Sequence, residues 1–91
     1  MIDAYIIHNN PKIEDYIKNK LNLTSDIYFH FIDEGTIKGK KEAYKIKGQF
    51  AARQTPFIGL FKKDKIFKGF YSEASDNPIK DFIHYAKEFR F

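Results

Sequence analysis

The sequence predicts an α/β fold in which helices cover both faces of a four-stranded mixed sheet. The chain has 91 residues, of which 43% are hydrophobic and 18% aromatic. This is enough apolar surface for one packed domain over residues 1–91 and too much for a disordered chain. β-branched and aromatic runs alternate with segments of helical periodicity in the order β-α-β-α-β-β-α. The two β-α-β units imply that the first three strands are parallel, and a closing hairpin adds one antiparallel strand.

The first strand and the first helix are separated by a short polar turn. Residues 2–8 are β-branched and aromatic, which predicts a strand. Asn10 can cap a helix, and Pro11 suits a first helical turn. Apolar side chains then recur every four residues, which predicts an amphipathic helix over 11–21. The recurring residues are Ile13, Ile17 and Leu21.

The second strand and the second helix follow the same alternation. Residues 27–32 predict a strand with two apolar faces, which favours a place inside the sheet over one at its edge. Residues 38–52 fit a helix with one apolar face, although Gly39 and Gly48 weaken it.

The last three elements are a hairpin and a helix. Two short apolar runs, 57–61 and 65–71, are separated by three polar residues, which predicts an antiparallel connection. A polar loop then ends at Pro78, and a helix over 78–89 buries one apolar stripe. The stripe consists of Ile79, Phe82, Ile83 and Ala86.

This order of elements resembles the thioredoxin-like fold, and two local motifs extend the resemblance. Gln54-Thr55-Pro56 places a Thr-Pro directly before the third strand, where glutaredoxins and thioredoxins carry a cis proline. At the first strand-to-helix junction small glutaredoxins hold Cys-Pro-x-Cys, whereas this chain has Asn10-Pro11-Lys12-Ile13. The chain is thus similar to a glutaredoxin-like domain with a degenerate, cysteine-free motif. The stretch from Gly39 to Ser72 is also similar to small thioredoxin-fold proteins of bacteria and their phages.

The residue types exclude thiol chemistry and give no sign of another catalytic centre. The chain contains no cysteine, so it has no thiolate for disulfide exchange and no thiolate ligand for a metal. Neither a nucleophile elbow nor a phosphate-binding glycine loop is present. Asp33 and Glu34 end the second strand, where we expect them to be solvated. We therefore expect no enzyme activity, no metal and no cofactor.

The resemblance implies a binding groove in place of the redox centre. In redox members of the family, the residue before the cis proline pairs through its backbone with an extended peptide or with glutathione, and this mode needs no thiol. We expect a protein or peptide ligand rather than glutathione, because the cysteine that glutathione would meet is absent. The pair Ser75-Asp76, with Gly69, would lie near the glutathione carboxylate. The implied groove residues are Asn10, Pro11, Lys12, Thr55, Pro56, Gly69 and Tyr71.

The start of the helix beside Asn10 is also a candidate anion site. A helix N-terminus offers free amides and positive partial charge to a carboxylate or a phosphate. The simpler expectation is that the Asn10 side chain caps its own helix.

Charge supports an alternative function. Sixteen basic and twelve acidic residues give a net charge of +4. Five lysines between Lys38 and Lys47, followed by Arg53, form either a solvated helix face or a nucleic-acid-binding surface over Lys38–Arg53. Another alternative is a structural component of a larger assembly, phage assemblies included. No apolar run approaches the ~18 residues of a membrane span, and residues 1–7 lack a secretory pattern, so a cytoplasmic protein without membrane contact is expected.

Overall fold

A computed structural model of the protein describes residues 1–21 and 26–88. The elements follow the predicted order β-α-β-α-β-β-α, and the last residue of the helix predicted over 78–89 lies outside the described residues. None of these helices is long and apolar enough to cross a membrane. The strands are β1 (Ile2–His8), β2 (Ile27–Asp33), β3 (Phe57–Lys62) and β4 (Lys65–Tyr71). The helices are α1 (Lys12–Leu21), α2 (Ile37–Phe50) and α3 (Pro78–Glu88).

The four strands form a mixed sheet in the order β2-β1-β3-β4. β1 and β2 are parallel, from the pair Ile2 and Ile27 onward. β3 runs antiparallel to β1, with Phe57 opposite Ile7, and β4 runs antiparallel to β3. The mixed sheet is as predicted, but the prediction that the first three strands are all parallel is wrong for β3.

The direction of β3 follows from the path of α2. Thr36 accepts a hydrogen bond from the Gly39 N–H (2.9 Å) and donates one to the carbonyl of Asp33 (3.0 Å), so α2 begins at the end of β2. At the other end of the helix, the Tyr71 hydroxyl donates to the carbonyl of Phe50 (2.8 Å). Tyr71 ends β4 and lies opposite the first residue of β3. Helix α2 therefore crosses the sheet instead of running back along it, and β3 starts at the end of the sheet where β2 finishes.

β2 lies at an edge of the sheet, contrary to the interior position that its two apolar faces predicted. Side chains on each of its faces nevertheless pack against neighbouring elements. The Phe29 ring packs edge-on against Phe82 of α3 (6.3 Å between centroids), and the His30 ring stacks on Tyr5 of β1 (4.3 Å). Tyr28 stays exposed. Helices on both sides of the sheet thus allow an edge strand to be as apolar as an interior one.

Two hydrophobic cores lie on opposite faces of the sheet, because successive side chains of a strand point to opposite sides. The neighbours Ile6 and Ile7 accordingly belong to different cores. The first core joins the sheet to α1 and α3, and the second joins it to α2. Gly59 lets α2 approach closely, since a Cβ there would lie 2.6 Å from the Phe50 ring. Helices on both faces were predicted and are observed.

Residues with a left-handed backbone end two of the elements. Ala51 (φ 56°) stops α2 at Phe50, two residues before the predicted end, and its N–H bonds the carbonyl of Gly48. Lys63 (φ 52°) and Asp64 (φ 62°) form the two-residue turn between β3 and β4. Positive φ at both positions is typical of hairpin turns whose twist matches that of the strands.

Candidate functional site

Three segments meet at the end of the sheet where β1 and β2 finish: the end of β1, the residues directly after β2, and the segment that contains Thr55. Glu34, directly after β2, contacts the other two. Its backbone N–H donates to the carbonyl of His8 (2.8 Å), and its carboxylate accepts a hydrogen bond from the Thr55 hydroxyl (2.8 Å). The structure thus brings the turn 10–12 and the Thr55-Pro56 segment to the same end of the sheet. The Thr55–Pro56 peptide bond is cis, as the resemblance implied.

Lys47 completes the support of Thr55. Its Nζ lies 2.9 Å from both Oε1 of Glu34 and Oγ1 of Thr55. The side chains of Lys47 and Glu34 are only 14% and 22% exposed, so the ion pair is largely shielded from water. The expectation that Glu34 is solvated is therefore wrong. The sequence analysis assigned Lys47 to the basic surface, but its ammonium group binds the side chains of Glu34 and Thr55.

The segment before Thr55 is held from the other side by Glu73. Its carboxylate accepts hydrogen bonds from the backbone N–H groups of Arg53 (2.8 Å) and Gln54 (3.3 Å). The Arg53 N–H is the main cause that lowers the pKa of Glu73 below its ordinary value. After Thr55, the Ser72 hydroxyl donates to the carbonyl of Pro56.

Between these anchored neighbours, the backbone of Thr55 is free. In the part of the chain that the structure describes, no hydrogen bond reaches its amide or its carbonyl. Its side chain is fixed by two partners, so the peptide group has a set orientation. Thr55 therefore offers one backbone donor and one backbone acceptor on a rigid segment.

The start of α1 is capped by Asn10. Its Oδ1 accepts a hydrogen bond from the Lys12 N–H (3.0 Å), and its carbonyl accepts one from the Ile13 N–H (3.0 Å). The Glu14 N–H donates to the carbonyl of Pro11 (3.1 Å), which has no N–H of its own. The N–H groups of Lys12, Ile13 and Glu14 are thus occupied, as the simpler expectation for Asn10 required.

The His8 side chain holds the same turn through both of its ring nitrogens. Its side chain is completely buried. Nδ1 accepts a hydrogen bond from the Asn10 N–H (3.3 Å), and Nε2 lies 2.9 Å from Oε2 of Glu14. Because a backbone N–H can only donate, Nδ1 is the unprotonated nitrogen and Nε2 donates to Glu14. His8 thus positions the turn and has no surface to offer a ligand.

Gly69 and Tyr71 pack together on the face of the sheet that α2 covers. A Cβ at position 69 would lie 2.8 Å from the Tyr71 ring, so only glycine leaves room for it. The Tyr71 hydroxyl is used to hold the C-terminal end of α2 through Phe50. These contacts give both residues a role in packing.

The loop before α3 satisfies its own polar groups. The Ser75 hydroxyl donates to the Asp81 carboxylate and accepts from the Asn77 N–H (3.2 Å). Asn77 caps the helix by accepting from the Lys80 N–H (3.0 Å). Asp76 is exposed. The resemblance places a glutathione carboxylate near Ser75. The Ser75 hydroxyl, however, already forms hydrogen bonds with Asp81 and Asn77 of the same chain.

A second polar cluster lies on the same face of the sheet as α2 and consists of Asp3, Tyr5 and His30. Nε2 of His30 is 3.0 Å from Oδ1 of Asp3, and its ring stacks on Tyr5. Burial, and then the Asp3 charge, raises the pKa of Tyr5. Over residues 1–21 and 26–88, no group of three or more His, Asp or Glu side chains is placed to hold a metal ion.

Glu34, Lys47 and Glu73 were not identified from the sequence as supports of the site. Glu34 meets partners 13 and 21 residues away, and Glu73 meets Arg53 from 20 residues away. Local patterns relate residues three or four positions apart in a helix or two apart in a strand. Contacts of this length therefore leave no local signal.

Comparison with known proteins gives a relative in structure only. No protein-family model matches the chain, and no curated protein matches it. Among solved structures, the chain is similar to one described as the crystal structure of a designed protein, with 17% sequence identity and a TM-score of 0.56. The match covers 99% of this chain and 78% of the designed one. At this identity the likeness supports the fold alone.

Proposed function

We propose that the chain is a redox-inactive domain of thioredoxin-like fold that binds an extended peptide segment of a partner protein beside Thr55. The free amide and carbonyl of Thr55 are the observation that carries this proposal. An extended peptide can accept from that N–H and donate to that carbonyl, as an added strand does at a sheet edge. The order of the elements and the place of Pro56 directly before β3 support the thioredoxin-like assignment.

The rigidity of the segment favours binding. Glu34 and Lys47 hold the Thr55 side chain, and Glu73 holds the two amides before it. A ligand then loses little affinity to ordering of the protein, because the recognition groups are already fixed. The turn that starts at Asn10 lies at the same end of the sheet and would form the other wall of the groove.

The residues at the former redox position favour binding over thiol chemistry. Asn10 and Ile13 stand where the resemblance implies cysteines, and neither can attack a disulfide. Asn10 uses its side-chain oxygen to cap α1. We therefore expect the domain to recognise a partner without reducing or oxidising it.

Selection from a displayed library of random short peptides, followed by N-methyl scanning, tests the proposal. The strongest peptide is synthesised with a methyl group on one backbone nitrogen at a time, and its affinity is measured by fluorescence anisotropy. Loss of the one N–H that pairs with the Thr55 carbonyl should weaken binding by about tenfold, as expected for a lost hydrogen bond. Failure to select any peptide, or a peptide that tolerates every single methylation, would contradict the proposal.

A pair of lysine variants provides a matched control on the protein. Lys47→Met removes the cation that holds Thr55, whereas Lys45→Met changes an exposed lysine of the same helix. Lys47→Met should weaken peptide binding several-fold and Lys45→Met should leave it unchanged. Equal effects would show that net charge, and not the Thr55 support, governs binding.

A further inference from the structure

The outer face of α2 exposes two large apolar side chains. Ile37 is 82% exposed and Tyr44 is 81% exposed, although both lie in a helix with one buried face. Seven residues are two helical turns, so the two side chains share one side of α2. Gly39, Ala43 and Phe50 are its buried residues and lie on the opposite side. The apolar pair is thus a second stripe, turned away from the core.

The stripe has the spacing of a helix-docking face. Ile37, Lys41, Tyr44 and Gly48 succeed one another at intervals of four, three and four residues, the pattern that keeps one seam facing a partner helix. At Gly48, a Cβ would meet nothing within 4 Å. The backbone of a second helix can therefore approach α2 closely at its C-terminal end.

Exposed lysines line both sides of this stripe. Lys40 lies on one side, and Lys38 and Lys45 lie on the other, as follows from 3.6 residues per turn. Lys40 and Lys45 line a shallow open pocket together with Ile37, Lys41 and Tyr44. Glu42 is the single carboxylate in the sequence of α2.

We infer that the outer face of α2 docks an acidic amphipathic helix of a partner protein. The apolar side of that helix would cover Ile37 and Tyr44, and its flanking carboxylates would meet the lysines on either side. The same face of a second copy is a poor occupant, because it would bring lysines against lysines. Nucleic acid would use the lysines but leaves Ile37 without a partner. This surface does not include Thr55, but it adjoins the side chains that hold Thr55, because Lys40 and Tyr44 also line a cavity with Glu34 and Lys47.

Two matched peptides test the inference. Each is a labelled helix of about 20 residues, long enough to cover α2, with leucines along one side. The flanking positions are glutamate in one peptide and lysine in the other. The acidic peptide should bind saturably and at least about tenfold more tightly than the basic one.

Variants then separate the apolar and the charged contributions. Ile37→Ser with Tyr44→Ser should weaken binding of the acidic peptide by about tenfold or more, because exposed anchors dominate such interfaces. Lys40→Gln with Lys45→Gln should weaken it mainly at low salt. Tyr16→Ser, at an exposed tyrosine of α1, is the control and should change nothing. Circular dichroism checks that each variant folds.

Three results would overturn the inference. These are equal or absent binding of the two peptides, full binding by the double serine variant, and displacement of the acidic peptide by a labelled single-stranded oligonucleotide that binds more tightly. The last result would assign the face to nucleic acid instead.

Discussion

Nε2 of the buried His8 lies 2.9 Å from Oε2 of Glu14, which joins the end of β1 to the first turn of α1. The other ring nitrogen accepts from the Asn10 N–H. Both nitrogens of one imidazole therefore fix the turn that carries Asn10, Pro11 and Lys12. In our proposal, this turn would form one wall of the groove beside Thr55.

Substitution of Glu14 tests the value of this link. Glu14→Leu leaves the Nε2–H of His8 without its acceptor, and an unsatisfied buried donor costs about 1–3 kcal/mol. Glu14→Gln keeps an oxygen that can accept, so its free energy of unfolding should fall by less. Urea unfolding of both variants measures the difference. Stabilities of both variants equal to that of the parent chain would show that the contact contributes nothing.

Two glycines of α2 should respond to alanine in opposite directions. At Gly39 a Cβ would lie 1.9 Å from the carbonyl oxygen of Asp33, so the first turn of the helix has to shift. At Gly48 a Cβ meets nothing within 4 Å, and alanine favours a helix by about 1 kcal/mol over glycine. Gly39→Ala should thus lower the thermal midpoint and Gly48→Ala should raise it. A stable Gly39→Ala variant would contradict the tight helix start.

The bonds that Glu73 accepts should depend on pH. Because the folded pKa of Glu73 is lowered, its contribution to stability is complete above the ordinary glutamate pKa of about 4.3. It is lost as the pH falls through the folded value. The thermal midpoint of Glu73→Gln should therefore lie below that of the parent chain at neutral pH, and the gap should close in acid. A gap that is constant with pH would rule out a charged acceptor.

In an Asn10→Cys variant, the pKa of the new thiol should be lower than that of an ordinary cysteine. The Lys12 N–H that now donates to Asn10 would donate to the thiolate at the start of α1. Helix N-termini lower the cysteine pKa from about 8.5. The pH dependence of thiolate absorbance should give a lower pKa for Asn10→Cys than for Asn9→Cys, the control outside the cap. Identical values would mean that the helix start has no electrostatic effect there.

The sequence was sufficient for the elements and their order. The elements were predicted from local patterns, such as the four-residue spacing of apolar side chains in α1 and the polar link between β3 and β4. The direction of β3 was missed because it depends on how α2 crosses the sheet, which contacts of Thr36 and Tyr71 determine. The edge position of β2 was missed because side chains on both of its faces pack against neighbouring elements, as those of an interior strand do.

The site was only partly predictable for the same reason. Thr55-Pro56 and the turn at Asn10 were found from short motifs beside predicted elements. Glu34, Lys47 and Glu73 became apparent only in the fold, because their partners lie far along the chain. The free backbone of Thr55 is likewise a property of three-dimensional packing.

Amide hydrogen exchange at Thr55, measured by nuclear magnetic resonance with and without a selected peptide, tests the proposed function most directly. In the free protein the Thr55 amide should exchange faster than the amides of Arg53 and Gln54, which Glu73 holds. Saturation with the peptide should slow exchange at Thr55 by about tenfold or more, in line with a new backbone hydrogen bond. Unchanged exchange at Thr55 with the peptide bound, or protection confined to another surface, would contradict the account.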